Sequence, residues 1–177
     1  MNHADHVNLL RPANPPAGGR WADLGAGTGA FTLALRELVG PEAEVFAVDR
    51  DAGSLRELER AFARRFGSNH LLRTMQQDLM ESDGLPAQLD GIVMANSLHY
   101  FKDKVPVLRQ VHSLISPGGV LLLVEYNVDR GNMWVPYPLS YSRFESLAPQ
   151  VGLQQPRLLA AHPSSFLREI YSAEARA

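Results

Sequence analysis

Residues 21–29 read WADLGAGTG, and no other stretch limits the fold as strongly. A short apolar strand candidate, residues 20–26, runs into Gly25, Gly27 and Gly29. Residues 28–39 follow with apolar side chains at 31, 34, 35 and 38, the spacing of one helix face, and Gly40-Pro41 stops them. A strand that turns through bare backbone into a helix is the first unit of a doubly wound sheet, and that turn faces the crevice where ligands bind. Gly25-x-Gly27-x-x-Ala30 also fits a dinucleotide fingerprint, and a tight turn without any ligand would use the same residues. The loop alone leaves these readings open.

The alternation continues. Residues 45–48 form a second strand candidate, and 51–66 place Leu55, Leu58, Phe62 and Phe66 on one stripe behind an acidic N-cap, with Gly67 closing the helix. Residues 70–77 read as a third strand, followed by a polar turn at Asp83-Gly84. Residues 91–98 are a fourth strand. Val105, Leu108, Val111, Leu114 and Ile115 mark a helix, and Pro117-Gly118-Gly119 turns into a fifth strand at 120–126. Helices between buried, β-branched runs predict an α/β fold with a parallel sheet covered on both faces. Beyond Asn127 the pattern changes. Residues 128–140 (VDRGNMWVPYPLS) read as a long functional loop and 142–151 as a helix. Residues 158–161 and 166–171 read as strands, and the connection between them is too short for a parallel crossover, so that pair should be antiparallel. Residues 1–19, broken by Pro12, Pro15, Pro16, Gly18 and Gly19, are expected to form an N-terminal arm or lid on a single domain spanning 20–177.

Composition removes several classes of function. A formal charge of −2 gives no general attraction to nucleic acid or anionic membrane. The longest strongly apolar run, Val120–Val124, cannot span a bilayer, and no signal-peptide pattern opens the chain, so a cytoplasmic protein is expected. The absence of cysteine excludes thiolate nucleophiles and zinc–thiolate sites. His3, Asp5 and His6 resemble metal ligands only superficially, and no metal is expected.

Three aspartates narrow what the glycine loop holds. Asp49, ending the second strand, can accept hydrogen bonds from both hydroxyls of a ribose, although a helix N-cap would also be acidic there. Asp78, in Gln77-Asp78-Leu79, suits the amine of an adenine with an apolar residue for its face, although aspartate also starts turns. Asp23 stands just before the glycines. A carboxylate there would repel a pyrophosphate and favour an ammonium group.

The ordered set Asp23-Leu24-Gly25-Ala26-Gly27-Thr28-Gly29, Val48-Asp49, Gln77-Asp78-Leu79, the strand from Asp90 to His99, and Pro117-Gly118-Gly119 resembles class I S-adenosylmethionine-dependent methyltransferases. It is most similar to the small-molecule group that includes ubiquinone- and menaquinone-biosynthesis enzymes. The resemblance covers roughly residues 20–127. It implies a Rossmann-like, doubly wound seven-stranded sheet, mostly parallel with an antiparallel C-terminal strand, and S-adenosyl-L-methionine as cofactor. It further implies that Gly25, Ala26, Gly27 and Asp23 hold the methionine part, Asp49 and Arg50 the ribose region, Asp78 and Leu79 the adenine, and Ala95 and Asn96 the amino group through backbone carbonyls.

Methyl transfer is an in-line displacement in which orientation alone can supply about 7–11 kcal/mol, so a base is needed only if the nucleophile must lose a proton. His99, beyond the fourth strand, is the candidate base, although a histidine there could equally just hydrogen-bond within its loop, and Tyr126 at the end of the fifth strand is a second catalytic candidate. Glu125 and Asn127 share that rim, and Trp134 and Tyr137 are candidates for an aromatic wall, although ordinary loop packing would use them equally. A small organic acceptor is expected, and the oligomeric state is open between monomer and homodimer. The rival readings are an NAD-dependent oxidoreductase on the same fold and a non-catalytic S-adenosylmethionine-binding module.

Overall fold

Seven strands form one sheet in the order β3-β2-β1-β4-β5-β7-β6. The computed structural model describes residues 1–81 and 84–177. Strands β1 (Arg20–Leu24), β2 (Glu44–Asp49), β3 (Leu72–Gln76), β4 (Leu89–Ala95) and β5 (Ile115–Tyr126) are mutually parallel. Strand β7 (Glu169–Arg176) lies antiparallel between β5 and β6 (Gln154–Pro163). The expected sheet, with its reversed C-terminal strand, is the one observed.

Period-2 side-chain alternation on the strands builds two cores. Trp21, Val45, Ala47, Val93, Val120, Leu122 and Val124 face α1 (His3–Leu10), α2 (Ala30–Val39) and α3 (Ala52–Phe66). Ala22, Leu24, Val48, Ile92, Met94, Leu121 and Leu123 face α4 (Val105–Leu114) and α5 (Tyr141–Leu147). Both faces are therefore dry, which accounts for the near-continuous apolar strands. No helix among the described residues is long and apolar enough to cross a membrane.

The differences from the sequence reading are local. Residues 3–10 are helical: Asn2 and Asp5 form a capping box, and Val7, Leu9 and Leu10 pack into the α2 side of the core. Ser172 Oγ on β7 donates to Leu9 O at 2.6 Å, tying that helix to the sheet. Pro117-Gly118-Gly119 is an excursion inside β5, where the register with β4 jumps from Leu89↔Ile115 to Gly91↔Val120. The helix expected over 142–151 divides into α5 and a 3-10 turn at Ala148–Val151. Strand β6 is longer than expected at both ends and β7 starts and ends later, because the turn falls at 164–168, closed by Ser164 N donating to Arg168 O at 2.8 Å, with Phe166 exposed at its tip. The turn placed at Asp83-Gly84 falls partly outside the described residues.

Candidate functional site

The central strands β1 and β4 send their following helices to opposite faces, and the crevice opens at their C-terminal ends. The loop leaving β1 is pinned to β2: Gly25 N and Ala26 N both donate to Val48 O at 2.9 Å, and Gly27 N donates to Asp49 Oδ2 at 2.8 Å. Gly25 has φ +84°, and a Cβ there would stand 2.5 Å from Ser97 Cβ, so only glycine fits. Gly27 has φ +52° and an added Cβ would meet nothing within 4 Å, so its backbone faces open space.

Two adjoining cavities share Gly25, Asp49, Asn96 and Tyr100. The first, about 410 Å³, is also lined by Arg50, Gln77, Asp78, Leu79, Ser97 and Phe101. The second, about 340 Å³, is also lined by His6, Asp23, Ala26, Gly27, Phe31 and Ala95 among others, and its described lining includes no lysine or arginine. All ten residues proposed from sequence for cofactor binding thus border one cleft.

Their roles are set by hydrogen bonds. The N-cap of α3 is Asp51, whose side chain accepts from Ser54 N, and not Asp49. Asp49 instead takes Asp51 N on Oδ1 at 2.9 Å and Gly27 N on Oδ2, which fixes its carboxylate between the two cavities. Asp78 Oδ1 accepts from Met80 N at 2.9 Å, so it starts a turn while also lining the first cavity. Asp23 is fully buried. Its Oδ2 accepts from Thr32 Oγ1 at 2.6 Å, whereas Oδ1 has no partner among the described residues. Burial, reinforced by the charge of Asp49 and opposed by the Thr32 hydrogen bond, pushes its carboxyl up to about 7. Asn96 breaks β4 with φ +53°; its N–H still donates to Val124 O, and its side-chain Oδ1 is likewise sealed without a partner.

A second constellation lies beyond β4 and β5. His99 is 2% exposed and its Nδ1 is 3.0 Å from both oxygens of Glu125, which is 0% exposed. Glu125 is therefore behind the rim, and not on it. Lys104 Nζ, also buried, donates to the carbonyls of Leu98, Phe101 and Tyr137. Burial pushes its ammonium down to about 8 against the pull of Glu125. Tyr100 stacks 4.4 Å from the His99 ring, and Tyr126 lies 6.1 Å from it and 5.9 Å from Phe166. Burial and Glu125 raise the Tyr126 phenol above its ordinary range. Asn127 is occupied by Glu169 and Tyr141 N. Trp134 stands 68% exposed and forms no aromatic pair among the described residues, so the loop does not bring it to a wall.

Sequence reasoning missed Thr32, Ser97 and His6, and it left Tyr100 open between orienting a substrate and packing; Tyr100 borders both cavities. Ser97 Oγ donates to Leu24 O at 2.8 Å, locking β4 to β1 under the glycine loop. Thr32 had a signal, lying one turn into the helix that follows the loop. His6 had none, because its place depends on how α1 packs against Phe31, 4.8 Å away. His3 and Asp5 turn elsewhere, to Glu37 at 2.8 Å and to the capping box.

Comparison with known proteins agrees with this geometry. The model of a family described as a methyltransferase domain matches residues 22–121. A demethylmenaquinone methyltransferase of Geobacillus kaustophilus is 29% identical over 119 residues, covering 67% of this chain and 50% of that protein. An uncharacterized methyltransferase of Mycobacterium bovis is 30% identical over 132 residues, covering 73% and 63%. The chain thus spans about half the length of the first of these relatives. Among solved structures, an arsenic(III) S-adenosylmethionine methyltransferase of Chlamydomonas reinhardtii superposes with a TM-score of 0.75 at 24% identity, covering 92% of this chain and 64% of that one. A SAM-dependent methyltransferase of Aquifex aeolicus superposes with a TM-score of 0.70 at 16% identity, covering 99% and 98%. These two show the shared fold.

Proposed function

The chain belongs to the methyltransferase-domain family, and we propose that it moves the methyl group of S-adenosylmethionine to a small organic acceptor. One observation carries the reading: the sealed, unpartnered Oδ1 of Asp23 beside a cavity whose described lining has no cationic side chain of lysine or arginine. An acceptor that costs free energy to bury is compensated when a cation arrives, and a pyrophosphate arriving there would meet Asp23 and Asp49 instead. That favours a cationic, phosphate-free nucleoside over NAD.

The residues present fit the cofactor. Asp49, already oriented by two backbone N–H groups, retains lone pairs for the ribose hydroxyls. Arg50 borders the same region; Asp78 and Leu79 serve the adenine; Gly25, Ala26, Gly27 and Asp23 serve the methionine part, with Ala95 and Asn96 offering carbonyls to its ammonium. When bound, the cofactor supplies a methyl group activated by the positive sulfur. The chain supplies position, excludes water with Tyr100 and His6 at the cleft mouth, and accepts a proton at His99 where the acceptor must lose one. Tyr126 orients the acceptor. With a net charge of −2 and the cleft rimmed by aromatic side chains, the acceptor is a small molecule and not a nucleic acid, and the setting is cytoplasmic.

Calorimetry tests the cofactor directly. Micromolar binding of S-adenosylhomocysteine with none of NAD is expected; NAD binding alone would overturn the reading. Transfer of labelled methyl to a metabolite panel then separates an enzyme from a cofactor-binding module.

A further inference from the structure

Burying a carboxylate completely is expensive unless its lone pairs are used, and Glu125 uses them almost entirely on one residue. Its Oε1 accepts from the backbone N–H of His99 at 2.9 Å, both oxygens lie 3.0 Å from His99 Nδ1, and Oε2 accepts from Tyr126 N at 3.2 Å. An ionised carboxylate only accepts, so Nδ1 carries the hydrogen and the ring's lone pair stands on Nε2. Nε2 makes no hydrogen bond to a described residue. The His99 ring lies against Tyr100, which borders both cavities of the cleft.

The backbone around the imidazole is held as firmly as the ring. Lys104 ties together the carbonyls of Leu98, Phe101 and Tyr137, and Tyr137 N donates to His99 O at 3.0 Å. The same lysine offsets the charge of Glu125. With a neutral imidazole the trio Lys104–Glu125–His99 sums to no net charge. After a proton reaches Nε2, the imidazolium is paired with a carboxylate already in place. Among the described residues, the other titratable groups acting on this trio include the phenols of Tyr100, Tyr126 and Tyr171, the last on β7 beside Glu125, and the guanidinium of Arg143, which acts on Lys104.

We propose that Glu125 is a positioning residue that holds His99 with Nε2 as the proton acceptor, and that the methyl acceptor is a neutral ring hydroxyl seated among Tyr100, Tyr126 and Phe166. This rests on the methyl-transfer reading above. The three aromatic side chains, two of them, Tyr100 and Phe166, 60% and 46% exposed, offer faces to a planar ring. An amine or thiolate with a free electron pair gains nothing from a base, whereas a hydroxyl does. In the step, the hydroxyl oxygen forms its bond to the methyl carbon as the S–CH₃ bond breaks. The electron pair stays on sulfur, giving S-adenosylhomocysteine, and the hydroxyl proton passes to Nε2 and then to water.

Three measurements test this. Nitrogen NMR of ¹⁵N-histidine-labelled wild-type protein, without cofactor, should show the Nδ1–H tautomer for His99; an Nε2–H tautomer overturns the proposal whatever the protein does with cofactor. With S-adenosylmethionine, simple phenols and naphthols should be methylated, and acceptance of amines or thiols alone overturns the acceptor class. Glu125→Gln should lower kcat roughly a hundredfold or more, with acceptor KM and S-adenosylhomocysteine affinity within a few-fold of wild type, and Glu125→Asp should recover part of the rate. Unchanged kcat in a folded Glu125→Gln overturns the positioning role. Failure of wild type to bind S-adenosylhomocysteine would instead remove the methyl-transfer reading.

Discussion

Replacing Asp23 by asparagine should stabilise the free protein above neutral pH while removing most of its affinity for S-adenosylhomocysteine. The folded chain holds this buried carboxyl at about 7, against an ordinary 3.8. Between those two values the folded state keeps a proton that the unfolded chain has released. Stability therefore falls as pH rises through that window and is lowest above it. The full interval corresponds to roughly 4 kcal/mol. Asparagine keeps the acceptor for Thr32 Oγ1 but places an amide where Oδ1 now has no partner, which returns about 1–3 kcal/mol. The net expectation is a variant about 1–3 kcal/mol more stable at pH 8.5, with the advantage shrinking towards pH 4. Urea unfolding at several pH values reads this directly. Binding should move oppositely: wild-type affinity stays flat above about pH 7 and falls towards tenfold per pH unit below it, as the carboxyl must ionise to meet the ammonium. A variant less stable than wild type at pH 8.5, or a gap independent of pH, would refute the reasoning.

Other perturbations read other parts of the cleft. Asp49→Ala should weaken S-adenosylhomocysteine binding by about 1–3 kcal/mol in calorimetry and also loosen the loop at Gly27, whose N–H it accepts; unchanged affinity would remove the ribose contact. Gly25→Ala combines φ +84° with a 2.5 Å approach to Ser97 Cβ, so thermal unfolding should show a clear loss of stability along with weaker binding, and a native-like melting point would contradict it. His99→Ala should reduce turnover far more than cofactor affinity, and full activity at all pH values would dismiss it as the base.

The grouping of these residues at one cleft was legible because its signals are local. Asp23 and Asp49 end strands, Asp78 follows one, and the glycines sit where a strand becomes a helix, so spacing alone carries them to one rim. The pair His99–Glu125 was half legible. Each stands at or just past a strand end, but their meeting depends on the β4–β5 register that sets Ala95 opposite Val124. Helix α1 was missed because eight residues give barely two turns of periodicity, and its capping box lies at the very start of the chain. The composition of the loop 128–140 left a wall and ordinary loop packing both open, and packing is what forms: Val135 and Leu139 are buried and Trp134 is left in solvent.

Asp23 and Glu125, both buried near strand ends, solve the same physical problem in opposite ways. Glu125 is satisfied within the protein, by an imidazole, two backbone N–H groups and a nearby ammonium, so its site is complete before any ligand arrives. Asp23 accepts from one hydroxyl and keeps an unused lone pair on Oδ1 beside a cavity, so a positive group in that cavity favours its ionised form. A fold selected for stability alone would have no use for the second arrangement, which weakens it by an amount comparable to a sizeable part of a domain's net stability. That cost is recovered on binding, and it selects for charge: a neutral analogue of the same shape leaves Asp23 unsatisfied, whereas an ammonium satisfies it. Removal of the amino group from the ligand should therefore cost wild type much of its affinity and cost Asp23→Asn little. Equal losses in the two proteins would show that Asp23 does not meet the ammonium.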